Sequence, residues 1–441
     1  MNNSIKRSVA QSAKNAGFRE WEVSFSETGS FETRFFNREM SQYKNSRLSS
    51  LTFRGVCLGK TGYAATELMT DSSIDEIIRK ARANADITDG DAETLYKGAD
   101  SYPDAPAYDE KLEGVSDAEK VALCAELEAA AYSADERVKS VDYAVMSTQK
   151  TSFTIINDRG LDISHMANSA YAFVSARVES GGETKVDGDF WFDNDIDALN
   201  VQEIAKNAVS RAVSQFGAKP VKTGEYSIVF ENMAACSLIG AFASAFYAEN
   251  VQTGLSLLKG RVGERVFADF INIRDDARMA ASPANVAFDT SGVPASNKSL
   301  VTGGVLKGFL YSLKSALKDG FAPTGNGFGN GTRYTHFYLV PGSEAISSVV
   351  KNACDGLLIT ELSGIHAGAN AVSGDFSLLA RGFVIRSGII CEPTEQITVA
   401  GNFYDMMRDA RNIGGDLRFT PGAARVGSPS VHVGALKVSG E

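Results

Sequence analysis

The chain has 441 residues, of which 44% are hydrophobic and 22% charged, with a formal net charge of −10 and a pI of about 5.2. This length is enough for two or three domains, and the composition is that of a soluble globular protein. The negative charge argues against nucleic acid as a partner and against a basic surface that docks on a membrane.

Targeting segments and metal-binding residues are scarce in this sequence. The first residues, MNNSIKRSVAQSAKNAG, contain no apolar run, so we expect neither a signal peptide nor, further along, a transmembrane helix. The five cysteines have no metal-ligand or redox spacing, which predicts buried free thiols in a cytoplasmic protein. With only four histidines, a site built from several histidines is difficult to assemble.

Glycine is distributed unevenly along the chain. Residues 1–216 contain 12 of the 41 glycines and residues 217–441 contain 29. Because glycine marks tight turns and bulges between short strands, the shift indicates two domains of different architecture. We predict an α+β N-terminal domain over 1–218 and a β-rich domain over 219–441, joined at QFGAKPVKTGEY.

The first predicted elements are a helix, an antiparallel meander and a second helix. Residues 4–16 have helical character, and WEVSFS, FETRFFN, QYKNSRLSSLTFRG and CLGKTGYAATE alternate as strands with one wet face. A helix is expected over 73–86, with Ser73 and Glu76 as a capping box.

An acidic connector, DGDAETLYKGADSYPDAPAYDE, follows and is expected on the surface. A second capping box, Ser116 with Glu119, begins a helix that ends near Ala134. A closing helix is expected over 197–216. Three strand-like runs precede it, at 139–148, 151–157 and 163–178.

Short strands with glycine-rich turns dominate the second half, which predicts a curved or barrel-like antiparallel sheet. Helices are expected at 233–248 and at 343–353, with Ser343 as the N-cap. The candidate strands lie at 226–230, 284–290, 298–312, 356–361, 382–390 and 394–400.

The segment TGNGFGNGTR at 324–333 alternates glycine with other residues. A dinucleotide fingerprint needs a strand before it and a helix after it, and a phosphate loop needs a lysine at its end. Neither pattern fits, so we interpret the segment as a mobile loop near a binding surface. Asn326 and Arg333 are its candidate ligand-binding residues.

Polar residues are concentrated between two predicted strands in 356–390. Glu361, His366 and Asp375 could gather round a metal, but five residues across a glycine-containing turn do not form a helical ligand pair. A hairpin with a polar loop and a loop that binds a peptide or a partner both remain open. The other candidate substrate-binding residues here are Thr360, Gly364, Gly374 and Phe376.

The stretches GLLITELSG, SGDFSLLARGFVIRSG, ITVAGNFYDM and KGRVGERVFADFINIRDD resemble the TldD/PmbA family, once called modulators of DNA gyrase. Within it the chain is most similar to the PmbA (TldE) branch, and the resemblance spans nearly the whole sequence. It implies an α+β N-terminal domain before a β-rich C-terminal domain, a cytoplasmic location and assembly as a dimer.

The same resemblance implies where the metal chemistry belongs. The TldD partner carries a His-Glu-x-x-x-His helix and a later cysteine that bind zinc for peptide hydrolysis, whereas the PmbA partner lacks them. Aligned on GRVGE, that motif falls on Ile239, Gly240 and Ser244, and no cysteine follows Cys391. Isoleucine and glycine offer no ligand atom. The implied cofactor is therefore zinc in the partner subunit and none in this chain.

The implied function is that of a non-catalytic subunit in a zinc metallopeptidase complex of the TldD–TldE type, which cleaves unfolded peptides. Its partner would be a TldD-like homologue or a second copy of itself. The loops 360–377 and 324–333 would line the chamber, and sheet edges would face an extended peptide. Two alternatives stay open: a homodimeric protein that binds peptides or ligands without cleaving them, and an independent hydrolase that uses Glu361, His366 and Asp375.

Overall fold

The N-terminal half of the computed structural model is a six-stranded antiparallel sheet. The structure describes residues 3–88 and 93–441. The spatial order of the strands is β3-β2-β1-β4-β5-β6. They are β1 (Glu20–Phe36), β2 (Glu39–Cys57), β3 (Lys60–Thr66), β4 (Val138–Asn157), β5 (Asp162–Ser180) and β6 (Glu183–Asp193).

Helices cover one face of this sheet in two groups, because apolar side chains alternate along the strands and point to that face. One group packs on Val23, Leu51 and Phe53, and the other packs on alternate residues of β4 and β5. The helices are α1 (Asn3–Asn15), α2 (Asp71–Ile87), α3 (Glu110–Gly114), α4 (Asp117–Ala134) and α5 (Val201–Val213).

The two predicted capping boxes have different outcomes. Ser116 and Glu119 form a capping box, and α4 ends at Ala134 as predicted. The box predicted for α2 is wrong, because the helix begins earlier. Thr70 is the N-cap, and its hydroxyl accepts a hydrogen bond from the backbone N–H of Ser73.

Two other N-terminal predictions need correction. The runs 139–148 and 151–157 are one strand, since β4 pairs with both β1 and β5 through the polar pair Gln149 and Lys150. The closing helix begins at Val201, where Asn200 accepts from the N–H of Glu203, instead of at 197.

The acidic connector is only partly a surface segment. Its residues 89–92 lie outside the described part of the chain. Beyond them Leu95 and Ala105 are buried, and the ring of Tyr102 packs edge-on against Phe288 of the C-terminal half. Through this contact the connector links the N-terminal half of the chain to the C-terminal half.

A closed five-stranded barrel forms the body of the C-terminal half, which confirms the β-rich, barrel-like prediction. Its order is β16-β15-β14-β7-β20, and pairing of β16 with β20 closes it, while β17 adds to β20. The neighbours β7 and β14 run parallel, so the barrel is not wholly antiparallel. The strands are β7 (Gly224–Phe230), β14 (Gly356–Ser363), β15 (Asp375–Arg386), β16 (Ile389–Asn402), β17 (Asn412–Ile413) and β20 (Val431–Ser439).

A second sheet and a small hairpin flank the barrel. The sheet has the order β10-β9-β8-β13-β19-β18, and β11 pairs with β12. Their bounds are β8 (Ile273–Asp276), β9 (Asn297–Thr302), β10 (Val305–Leu306), β11 (Gly327–Phe328), β12 (Gly331–Thr332), β13 (His336–Leu339), β18 (Arg418–Phe419) and β19 (Arg425–Ser428).

The C-terminal helices are short, and the central one packs between the barrel and the second sheet. In the core the rings of Phe242 and Phe403 stack at 4.5 Å between centroids. Within the described residues no helix has the length and apolarity to cross a membrane. The helices are α6 (Asn232–Phe242), α7 (Ala248–Gln252), α8 (Leu313–Asp319), α9 (Ile346–Ala353), α10 (Ile365–Gly368) and α11 (Phe403–Arg408).

Three C-terminal predictions are wrong in detail. Residues 284–290 are irregular and make only an isolated bridge from Phe288 to Pro294. The strand predicted over 298–312 ends at Thr302, because Gly303 and Gly304 turn the chain back into β10 as a hairpin. The helix predicted from 343 begins at Ile346, and no side chain caps it.

Candidate functional site between the two halves

Helix α6 carries the positions where the family's metal motif would fall. Ile239 is 1% exposed and belongs to the C-terminal core. A Cβ added at Gly240 would lie 3.2 Å from Cγ2 of Val426 on β19, and Ser244 lies beyond the end of the helix, in a 3₁₀ turn. These residues do not fit a zinc ion, because two have no donor atom and the helical geometry stops before the third.

The rest of the described chain offers no cluster of metal donors either. In the ranges 3–88 and 93–441, no three His, Cys, Asp or Glu side chains lie close enough together to hold a metal ion. Glu361, His366 and Asp375 are therefore not gathered round a common point. The independent hydrolase has no geometric support in the described residues.

Charged residues from both halves meet beside the start of α6. The carboxylate of Glu231, just before the helix, lies 3.3 Å from Nη1 of Arg211 on α5. The same guanidinium contacts Asp187 on β6 through Nε at 3.4 Å. Arg381 on β15 binds Asp187 at 2.9 Å and also pairs with Glu361. Two arginines and three carboxylates thus link the N-terminal sheet to the barrel.

Arginines also cover the free edge of β6. Arg381 donates from Nη1 to the carbonyl of Val186 at 3.1 Å, and Arg418 donates from Nη2 to the carbonyl of Phe190 at 3.1 Å. Arg418 pairs with Asp189 at 2.5 Å and lies 4.5 Å above the ring of Phe190. An edge strand whose carbonyls bind side-chain donors can exchange them for the backbone N–H groups of an extended peptide.

Burial controls protonation in this cluster. Desolvation raises the pKa of Asp187 above its ordinary value, against the opposing attraction of Arg381 and Arg211. Desolvation likewise raises the pKa of Glu231, against the attraction of Arg211. Both carboxyls therefore hold a proton more tightly in the folded chain than in the unfolded chain.

This difference predicts a pH dependence of stability. The free energy of unfolding that these two carboxyls contribute is fully present below their ordinary pKa values of 3.8 and 4.5. It is lost as the pH rises through their raised pKa values in the folded chain. We expect the free energy of unfolding of the wild-type chain to fall relative to that of Asp187→Asn as the pH rises through this window. Urea titrations of both proteins at a series of pH values measure the difference.

The exposed Asp104→Asn variant controls for the loss of one negative charge. A difference between wild type and Asp187→Asn that stays constant with pH, or that grows in favour of the wild type, would contradict the assignment.

The loop 360–377 is tied down at several points. Glu361 is held by Arg381, and His366 is exposed on α10. Oδ1 of Asp375 accepts from Nδ2 of Asn402 at 2.9 Å, and this hydrogen bond lowers the pKa of Asp375. Of the three, His366 alone has a side chain free of these contacts.

The other candidates in this loop have structural contacts. The hydroxyl of Thr360 lies 3.4 Å from the carbonyl of Arg381, and Gly364 precedes α10 with a φ of 81°. A Cβ on Gly374 would lie 2.6 Å from Cδ2 of Tyr404, and the ring of Phe376 is 4% exposed. Gly374 and Phe376 shape the loop from inside, and their role toward a substrate stays a prediction.

The segment 324–333, predicted as a mobile loop near a binding surface, contains the short hairpin of β11 and β12 and a buried amide. Asn326 is fully buried and donates from Nδ2 to Asp275 at 2.8 Å and to the carbonyl of Arg333 at 2.9 Å. Its amide is therefore engaged inside the second sheet. The side chain of Arg333 is exposed and remains a candidate.

The residues at the junction of the two halves were not found from the sequence. Asp187 and Arg381 are 194 positions apart, and Asp189 and Arg418 are 229 positions apart, so no local spacing indicates either pair. One local feature marks this region, DFWFDND at 189–195, where three consecutive aromatic residues lie between acids at the end of β6.

Comparison with known proteins gives a consistent result along the chain. Domain models of the PmbA/TldA metallopeptidases match at residues 21–85 (domain 1), 110–216 (central domain) and 223–440 (C-terminal domain). The chain is 26% identical over 388 residues to the metalloprotease PmbA homolog of Haemophilus influenzae, which covers 86% of this chain and 83% of that protein.

Two solved structures match the fold of this chain over nearly its full length. A candidate modulator of a DNA gyrase from Thermotoga maritima superposes with a TM-score of 0.91 and 32% identity, covering 99% of both chains. TldE from Thermococcus kodakarensis shares the fold, with a TM-score of 0.91 and 21% identity over 99% of this chain and 100% of that one. The chain therefore belongs to the PmbA/TldD metallopeptidase family.

Proposed function

We propose that this chain is the subunit without zinc ligands in a two-subunit metallopeptidase, and that a metal-bearing homologue supplies the hydrolytic centre. The observation that carries this proposal is that the motif positions are taken by Ile239 and Gly240 on α6 and by Ser244 just beyond its end. A hydrolytic zinc needs three protein ligands and an open position for water. Ile239 is instead buried in the core, and Val426 packs against the position of Gly240.

The junction between the halves supports a role in holding an extended peptide. On the free edge of β6 the carbonyls of Val186 and Phe190 accept hydrogen bonds from Arg381 and Arg418, which a peptide backbone can replace. Pairing through the backbone tolerates varied sequences, as cleavage of unfolded peptides requires. We propose a cytoplasmic complex with a TldD-like partner in which this chain forms part of the chamber wall.

The test combines this chain with a homologue from the same genome that carries His-Glu-x-x-x-His. We expect a complex by size-exclusion chromatography, with peptidase activity on an unfolded peptide that either protein alone lacks. Substituting the first histidine of the homologue's motif by alanine should abolish activity while preserving the complex.

Two results would contradict the proposal. Chelator-sensitive peptidase activity of this chain alone would place a metal centre within it. Failure of any homologue to bind, together with peptide binding by a homodimer that cleaves nothing, would favour the binding protein instead.

A further inference from the structure

Arg425, at the start of β19, holds its guanidinium between two aromatic rings. Its Cζ lies 5.2 Å from the ring centroid of Phe192 on β6 and 5.1 Å from that of Phe419 on β18. The two rings come from different halves of the chain. Arg425 therefore occupies the same junction as the arginines that cover β6.

Arg425 differs from those arginines in its partners. Arg211, Arg381 and Arg418 each contact at least one carboxylate, whereas no carboxylate of residues 3–88 or 93–441 lies within ion-pair distance of Arg425. Its Nε donates to the carbonyl of Thr420 at 3.0 Å. The remaining contact is long, from Nη1 to the hydroxyl of Ser282 at 3.5 Å.

An acid beyond ion-pair distance, Asp193, does not replace that missing partner. Asp193 is close enough to raise the pKa of Arg425, but burial dominates and lowers that pKa to about 10, so the guanidinium keeps its charge at neutral pH. Oδ1 of Asp193 accepts from the backbone N–H of Asn194 at 2.7 Å. A half-buried cation without a counter-ion is costly unless a ligand supplies one.

We propose that Arg425 receives a carboxylate of the bound ligand through the outer nitrogens of its guanidinium. A planar guanidinium held between two rings is preorganised for bidentate pairing with a carboxylate. Phe192 follows Phe190 by two residues along β6, so a strand paired with that edge passes close to Arg425. The C-terminal carboxylate and an acidic side chain of an extended peptide share this chemistry.

The peptide as the carrier of this carboxylate rests on the proposed function, but the carboxylate site itself does not need the metal-bearing partner. The test therefore uses the purified chain alone. Fluorescence anisotropy compares three labelled peptides of one neutral sequence: with a free C-terminus, with an amidated C-terminus, and amidated with one internal aspartate.

For the wild type we expect at least one carboxylate peptide to bind about tenfold more tightly than the neutral amide. Comparing the peptide with a free C-terminus and the peptide with an internal aspartate shows whether Arg425 binds a C-terminal carboxylate or an acidic side chain. Arg425→Met keeps an apolar stem between the rings and should reduce the preference for a carboxylate peptide over the neutral amide to below about twofold. Arg425→Lys keeps a positive charge and should retain part of this preference. The control is Arg47→Met, at an exposed arginine paired with Glu27 on β1.

Stability provides a second readout. Because Arg425→Met removes an unpaired, half-buried charge, we expect its unfolding temperature without ligand to equal or exceed that of the wild type. Equal binding of all three peptides, or of none, by the wild type would overturn the proposal, as would an unchanged preference in Arg425→Met. If Arg425→Met does not fold, binding of the same three peptides to Arg425→Lys provides the test. Failure of the heterodimer experiment would leave these results unaffected.

Discussion

Replacing Gly382 by alanine should destabilise the chain by more than about 3 kcal/mol. Gly382 lies on β15 where that strand pairs with β14 in the barrel. A Cβ there would lie 1.8 Å from the carbonyl oxygen of Leu358 and 2.9 Å from Cα of Ile359, which are both backbone atoms. Relief requires the two strands to separate, so ladder hydrogen bonds are lost. Urea unfolding of the purified variant measures the effect.

Gly308→Ala is the matched control for this substitution. Gly308 has open space where its Cβ would stand and no positive φ. Its replacement should change the free energy of unfolding by less than about 1 kcal/mol. Equal effects of the two substitutions would show that close packing in the barrel is not the cause.

Replacing Asp275 by asparagine should cost about 3–5 kcal/mol, because it leaves the Lys298 ammonium buried without a counter-charge. Asp275 is fully buried, and one of its oxygens lies 3.2 Å from Nζ of Lys298. It also accepts from Nδ2 of Asn326 and from the backbone N–H of Thr335 at 2.7 Å. Thermal and urea unfolding of the variant provide the measurement.

The double variant Asp275→Asn with Lys298→Met separates the ion pair from the hydrogen bonds. Removing both charges should cost less than the sum of the single substitutions, since no charge is left unpaired. The exposed Asp104→Asn should change stability by less than about 0.5 kcal/mol. Strict additivity of the two single variants would contradict a coupled buried pair.

Features that depend on neighbouring residues were predicted well from the sequence. The capping box of Ser116 and Glu119 needs only a four-residue segment, and both of its hydrogen bonds are present. The α2 start was missed because Thr70 and Ser73 are both good N-caps, and local chemistry alone does not choose between them. The family resemblance, spread over the whole chain, identified the fold class correctly.

Features that depend on distant partners could not be predicted in this way. Asn326 stands in a glycine-rich segment typical of an exposed loop, yet Asp275, 51 positions earlier, draws its amide into the interior. Arg425 has an ordinary sequence context. Only the structure shows that its guanidinium lies against Phe192 and Phe419, with no carboxylate of residues 3–88 or 93–441 within ion-pair distance. Burial and contacts between residues far apart in the sequence determine the surroundings of both positions.

The connectivity of the barrel has a consequence for the order in which the chain can fold during synthesis. Strand β7 ends at Phe230, but its neighbours β14 and β20 begin roughly 130 and 200 residues later. The N-terminal sheet has all six strands by Asp193 and can form while β7 still lacks both neighbours. Until the ribosome delivers β20, the apolar side chains of β7 and α6 have no closed barrel to bury them. This interval is when the nascent chain is most exposed to aggregation and to chaperone binding.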